Sequence, residues 1–230
     1  MLPPPFRIFN YELWIELIYS LVVVISCLLI YLKTGEFYEL TSHKGIKYFR
    51  NTFLFFGIGY LIRLCLHLIQ ATGISRILFT PFAIGIYEMA FFVMIYASSM
   101  ALIYIIYSMF WKRLDKYAFS RGYVFHIVSL IVAFVSMVWR IPLIFLLFQG
   151  ALFLLLVVVS YLNYRKTKHK GGLYGIYLIY MLIFALWITI NVLEFVIYFS
   201  PIMGLIIYGA SIALFAMLLV KVIKELKPKK

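Results

Sequence analysis

Five ionisable side chains fall inside long apolar runs of a chain that is 66% hydrophobic: Glu16, Arg63, His67, Glu88 and Glu194. A charge at the centre of a bilayer costs at least about 2.5–3.5 kcal/mol on insertion scales, so such residues face a bundle interior or a polar cavity. Their spacing gives them company. Tyr60, Arg63, His67 and Gln70 recur at i, i+3, i+7 and i+10, one face of a helix. Trp187, Asn191, Glu194 and Tyr198 recur at i, i+4, i+7 and i+11, and Glu12 and Glu16 at i, i+4. Three glutamates against Arg63 and a titratable His67 leave an excess of carboxylate. That excess needs a proton, a cation or an amine to balance it. The chemistry implied is binding, with Glu16, Tyr60, Arg63, His67, Glu88, Asn191 and Glu194 as the candidate ligand-binding residues. A metal held by His67, Glu88 and Glu194 is a weaker reading, because a scattered His/Glu set lacks the spacing of a zinc site. The structural alternative is that Arg63 pairs with Glu88 or Glu194 and the layer only fixes helix packing.

The elements that position these residues are apolar segments. At 66% hydrophobic and 20% aromatic residues, the composition lies well above the roughly 45–50% apolar share of soluble domains. Runs of this length read as membrane-spanning helices. The reading is an all-α polytopic membrane protein, one seven-helix bundle over residues 1–230. Its spans are expected at about 11–32, 45–70, 82–111, 122–139, 141–164, 173–199 and 201–222. Asn10 is placed to cap the first span, a loop is expected over 33–44, Pro81 is expected to separate a short outer piece from the third span, and Pro142 and Pro201 to break or turn the chain between spans. The N-terminal segment carries Glu12 and Glu16 where a signal peptide would be basic or neutral, so it reads as a span.

Seven spans put the termini on opposite sides. One set of span ends carries seventeen lysines and arginines and the other only Arg7, Arg76 and Arg140. The positive-inside rule then places the N-terminus outside and the C-terminus in the cytoplasm of a multi-pass cell-membrane protein. With that topology Glu16, Arg63, Glu88 and Glu194 all fall roughly 9–10 Å below the outer helix ends, at about 1.5 Å per residue. They would line an outward-facing chamber between the first, second, third and sixth spans. Thr41-x-His43-Lys44-Gly45-x-x-Tyr48 recurs as Thr167-x-His169-Lys170-Gly171-x-x-Tyr174. This suggests a 3+1+3 repeat with the fourth span as linker.

The net charge of +13 does not point to nucleic acid, because the basic residues sit at span ends. The expected partners are the bilayer, anionic lipid headgroups on the cytoplasmic side (contacted by His43 and His169 among others) and a cytoplasmic protein. Cys27 and Cys65 are expected as free, buried thiols. Ser98, Ser99, Gln149 and Ser211 are expected to make interhelical hydrogen bonds, His126 to lie at the interface, and Trp14, Trp111 and Trp139 to anchor span ends. The last span lacks a central lysine for a retinal Schiff base. Paired histidines for haem, hydrolase motifs and a P-loop are also missing from the sequence, so no cofactor and no enzymatic activity are assigned.

The stretch from Leu40 to Arg63, with L-T-x-H-K-G-I-K-Y-F and then F-L-F-F-G-I-G-Y-L-I-R, resembles a pattern in small uncharacterised seven-span prokaryotic, often archaeal, membrane proteins and sensor regions. That resemblance implies no assigned activity. The functional expectation is a sensor or transducer that binds a small cationic or protonatable ligand. The alternatives are a small-solute or proton-coupled transporter and a purely structural membrane protein.

Overall fold

The computed structural model describes residues 11–72, 81–114, 123–139, 142–167, 181, 185 and 201–225. Among them the chain is all helical: α1 (Tyr11–Thr41), α2 (Lys44–Ala71), α3 (Pro81–Leu114), α4 (Tyr123–Trp139), α5 (Pro142–Thr167) and α6 (Pro201–Glu225). Three of the six begin at proline, whose fixed φ and missing N–H suit the first helical position. The sixth span expected from the sequence, 173–199, lies outside the described residues apart from Met181 and Ala185, as does the second copy of the loop motif beyond Thr167. Asn10, the expected cap, is outside them too.

Among the described residues, four segments are long and apolar enough to cross a membrane by length and composition: Leu13–Thr41, Lys44–Ile69, Gly85–Met109 and Ile206–Lys224. Tyr123–Val138 and Leu146–Val158 are shorter apolar stretches. The surface supports a membrane protein. On α1, Ile18, Leu21, Ile25, Leu28 and Leu32 are each about half exposed. The opposite face of the same helix buries Tyr19, Val23, Cys27 and Ile30. Large contiguous apolar patches are rare on water-soluble monomers, whereas lipid accepts such a face without penalty.

The core is built where α2 meets α3 and α1, with α6 packed against α1. Phe49, Phe53, Phe56 and Tyr60 of α2 pack with Ile95, Leu102 and Ile105 of α3 and with Phe215 and Leu218 of α6. Gly57 is the close approach that allows this, since a Cβ there would stand 3.2 Å from the Cβ of Cys27. The short α4 turns Ser129, Ala133 and Ser136 inward and Ile127, Ile131, Phe134 and Val138 outward. Small inward residues let it lie close against α3.

The structure corrects several expectations. The loop expected over 33–44 is helical as far as Thr41. Lys33 pairs with Glu36 at 3.0 Å, one turn apart, and Thr34 Oγ1 donates back to Ile30 O at 2.7 Å. Gly35, within that expected loop, lies buried against Arg50. The turn comes at Ser42, whose φ of 50° is left-handed. The third helix also runs on, to Leu114 instead of Trp111. Cys27 is free and buried, but Cys65 is free and exposed, because it faces away from the packed side of α2. His126, four residues into α4, is half-buried. Its Nδ1 is 2.6 Å from the Tyr96 hydroxyl, and its ring packs with Phe55 and Tyr104.

Candidate functional site

Three helices each contribute residues at helical spacing to one polar cluster. From α1 come Glu16 and Tyr19, from α2 Tyr60, Arg63 and His67, and from α6 Tyr208 and Ser211. Arg63 is 8% exposed, and its Nε donates to His67 Nε2 at 3.3 Å. On its other side, His67 Nδ1 stands 3.3 Å from Glu16 Oε2. The Tyr208 hydroxyl donates to Glu16 Oε1 at 3.0 Å. These partners assign the tautomer of His67. Nε2 accepts from Arg63, which leaves the imidazole proton on Nδ1, close to the carboxylate but outside hydrogen-bond geometry. The order of charge and proton is therefore guanidinium, neutral imidazole, carboxylate.

Below this chain Tyr19 ties the helices together. Its hydroxyl is 2.9 Å from the Tyr60 hydroxyl and 3.0 Å from Ser211 Oγ. Its ring lies 4.8 Å from the ring of Tyr208 and is 1% exposed. A buried hydroxyl without a partner loses its hydration for nothing, so these bonds fix which rotamers the three helices can adopt together.

Arg63 also borders a crevice lined by Phe56, Gly59 and Tyr60 of α2 and by Met94 and Ser98 of α3. Its volume is about 10 Å³, which is about the minimum for one water molecule. Beyond Ser98 the polar line continues. Gln149 of α5 is fully buried and donates through Nε2 to Ser98 Oγ at 3.1 Å and Ser99 Oγ at 3.0 Å. These are the interhelical bonds expected of mid-span serine and glutamine.

Of the candidate residues, Glu16, Tyr60, Arg63 and His67 come together. Glu88 is half-buried on α3 and does not line the crevice. Asn191 and Glu194 lie outside the described residues. Among the described residues no three His, Cys, Asp or Glu side chains converge; the metal reading needs Glu194, which is not among them. Tyr19 and Tyr208 are the members that sequence reasoning missed. The chain has 19 tyrosines, so a tyrosine carries little signal. The available clue was spacing: Tyr19 follows Glu16 by one turn, and Tyr208 precedes Ser211 by one turn.

No protein-family profile matches the chain, and no solved structure matches it. A protein of the archaeon Archaeoglobus fulgidus, described only as an uncharacterized protein, is 32% identical over 216 residues, covering 92% of each chain.

Proposed function

We propose that this chain, which belongs to the same family as the Archaeoglobus fulgidus protein, is a membrane sensor or transducer whose Glu16–His67–Arg63 site responds to a proton, a small cation or an amine. The observation that carries this reading is the place of His67 between Arg63, whose Nε donates to its Nε2, and the Glu16 carboxylate, 3.3 Å from its Nδ1. A neutral imidazole accepts at one nitrogen and donates at the other. A proton added at Nε2 turns that acceptor into a donor and ends the bond from Arg63. A cation seated on Glu16 competes with His67 Nδ1–H and with the Tyr208 hydroxyl. Either event changes how α2 is tied to α1 and α6. Histidine is the side chain whose ordinary titration falls between about pH 5 and 8, which suits it to this task. The response would pass to a cytoplasmic protein partner through the basic loops.

The bilayer setting of this proposal is seven spans, with the unassigned one over 173–199, a 3+1+3 repeat, and the N-terminus outside. The distribution of lysine and arginine supports it. A reporter that is active only in the cytoplasm is expected to work when fused after Lys230 or inserted at 168–170, and to be silent when inserted beside Arg76. An active reporter beside Arg76 together with a silent one after Lys230 inverts the topology.

Transport is the second reading. The crevice that joins Arg63 to Ser98, and the Ser98–Gln149 bonds beyond it, favour it, since they extend the polar line past the Glu16–His67–Arg63 layer.

The test is a thermal-shift screen of the detergent-purified protein against alkali and alkaline-earth cations, simple amines and pH 5–8, with wild type and Glu16→Gln side by side. At least one condition is expected to shift the wild-type melting temperature by several degrees, and the shift is expected to disappear in Glu16→Gln. No shift under any condition leaves only the structural role for this layer.

A further inference from the structure

At the lysine-rich end of the bundle, α2 carries Arg50, six residues beyond its first residue. Its side chain is held from two sides by α1. Nη2 donates to the Tyr31 hydroxyl at 2.9 Å, and the guanidinium carbon stands 4.5 Å from the centre of the Tyr31 ring. Nη1 lies over Gly35, where a Cβ would come within 3.1 Å of it. A glycine in the body of a helix weakens it, and here it gives room to the guanidinium.

Among the described residues, Glu36 is engaged with Lys33, and no carboxylate pairs with Arg50. Its Nε is buried without a hydrogen-bond partner. A guanidinium has five N–H donors in a fixed fork, and α1 uses few of them. The fork matches phosphate, and Arg is favoured wherever planar recognition of phosphate matters.

Depth and surroundings select the kind of phosphate. The 28 residues of α2 span about 42 Å, close to a bilayer with its headgroup layers. Arg50 then lies about 9 Å from the helix end, near the base of the headgroup layer. From that depth a long side chain reaches the phosphates while its stem stays among the acyl chains. One turn nearer the helix end, Lys47 is exposed. One turn deeper on each helix, Leu54 and Leu28 are exposed at 38% and 54%. A charged head and an apolar tail are thus provided for at successive depths on the exposed sides of α2 and α1.

We propose that Arg50, Tyr31 and Gly35 form a binding site for the phosphate of an anionic membrane lipid, with its chain laid along Leu54 and Leu28. The site does not depend on the Glu16–His67 reading.

The experiment titrates delipidated protein in detergent with phosphatidylglycerol, phosphatidylcholine and inorganic phosphate, reading the melting temperature. Phosphatidylglycerol is expected to stabilise the wild type with roughly tenfold better apparent affinity than phosphatidylcholine. Inorganic phosphate is expected to do nothing at the same concentration. Arg50→Gln is expected to remove the preference, and Tyr31→Phe, which keeps the ring and only loses the hydroxyl, to reduce it. Should Arg50→Gln fail to fold, Tyr31→Phe and Gly35→Val carry the test. Equal response to the two lipids, an unchanged preference in the variants, or the same shift from inorganic phosphate alone would each overturn the proposal.

Discussion

Arg63→Leu is expected to lower the melting temperature of the purified protein by several degrees. The side chain is 8% exposed and donates to His67, which in turn faces Glu16. Leucine fills much of the volume but supplies no charge and no donor. His67 Nε2 loses its hydrogen-bond donor, and the Glu16 carboxylate loses a nearby cation. Removing one member of a buried ion pair costs about 3–5 kcal/mol in soluble proteins. Polar contacts between membrane helices average only about 0.6 kcal/mol, because the unfolded state in the membrane also finds partners. The charged case lies between these figures, at about 2–3 kcal/mol. For a chain of this size that is about 4–12 °C. Arg63→Lys keeps the charge but not the Nε geometry, and should recover part of the loss. Adding Glu16→Gln to Arg63→Leu should also recover part of it, because the uncompensated charge is then gone. Should Arg63→Leu melt within one degree of wild type, or should Glu16→Gln make it worse, the guanidinium–imidazole–carboxylate chain is not a connected unit.

Whether such a chain existed was partly legible in the sequence, and for a clear reason. Charges inside apolar runs are costly, so their helix faces and depths could be reasoned about residue by residue. The i, i+3, i+7 spacing of Tyr60, Arg63 and His67 put them on one face, and the structure keeps them there. Depth counting put Glu16 at the level of Arg63, and it meets His67, one turn further along α2. What was not legible depends on partners distant in sequence. Tyr19 and Tyr208 look like any other tyrosine until Ser211, Tyr60 and Glu16 are placed against them. Arg50 read as one more charge setting the topology, because only the fold brings Tyr31 and Gly35 of another helix to it. Lys33-Thr34-Gly35-Glu36 read as a loop for a related reason. The salt bridge within it is local, but the guanidinium that lies against Gly35 comes from α2. The same logic applies to His126, whose place beside Tyr96 is fixed by the packing of α4 on α3.

Gly57→Leu is expected to disrupt the bundle at its centre and to abolish any response of the polar site along with it. The interface of α1 with α2 lacks the hydrophobic driving force of a water-soluble core, since lipid tails are as apolar as leucine. It rests on close packing. At Gly57 a new Cβ would stand only 3.2 Å from Cys27 Cβ, tighter than ordinary van der Waals contact. Neither atom is the end of a flexible side chain, so the backbones themselves must separate. Alanine needs only a few tenths of an ångström, and its better helix propensity offsets about 1 kcal/mol of that strain. Leucine needs far more room, and overpacking of this kind costs about 1–3 kcal/mol or more. The damage spreads because the same two helices hold the Tyr19–Tyr60 contact at 2.9 Å and the Glu16–His67 contact at 3.3 Å. Hydrogen bonds weaken steeply with such displacements. Two comparisons separate packing from a general intolerance of substitution. A Cβ added at Gly59 meets Ala97 Cβ at 3.9 Å, an ordinary contact, so Gly59→Ala should be neutral or slightly stabilising. Cys27→Gly removes the opposing Cβ and should soften the loss caused by Gly57→Leu, even though Cys27→Gly alone weakens α1. If Gly57→Leu and Gly59→Ala melt alike, the helices do not meet at Gly57, and the polar cluster built on that approach has to be redrawn.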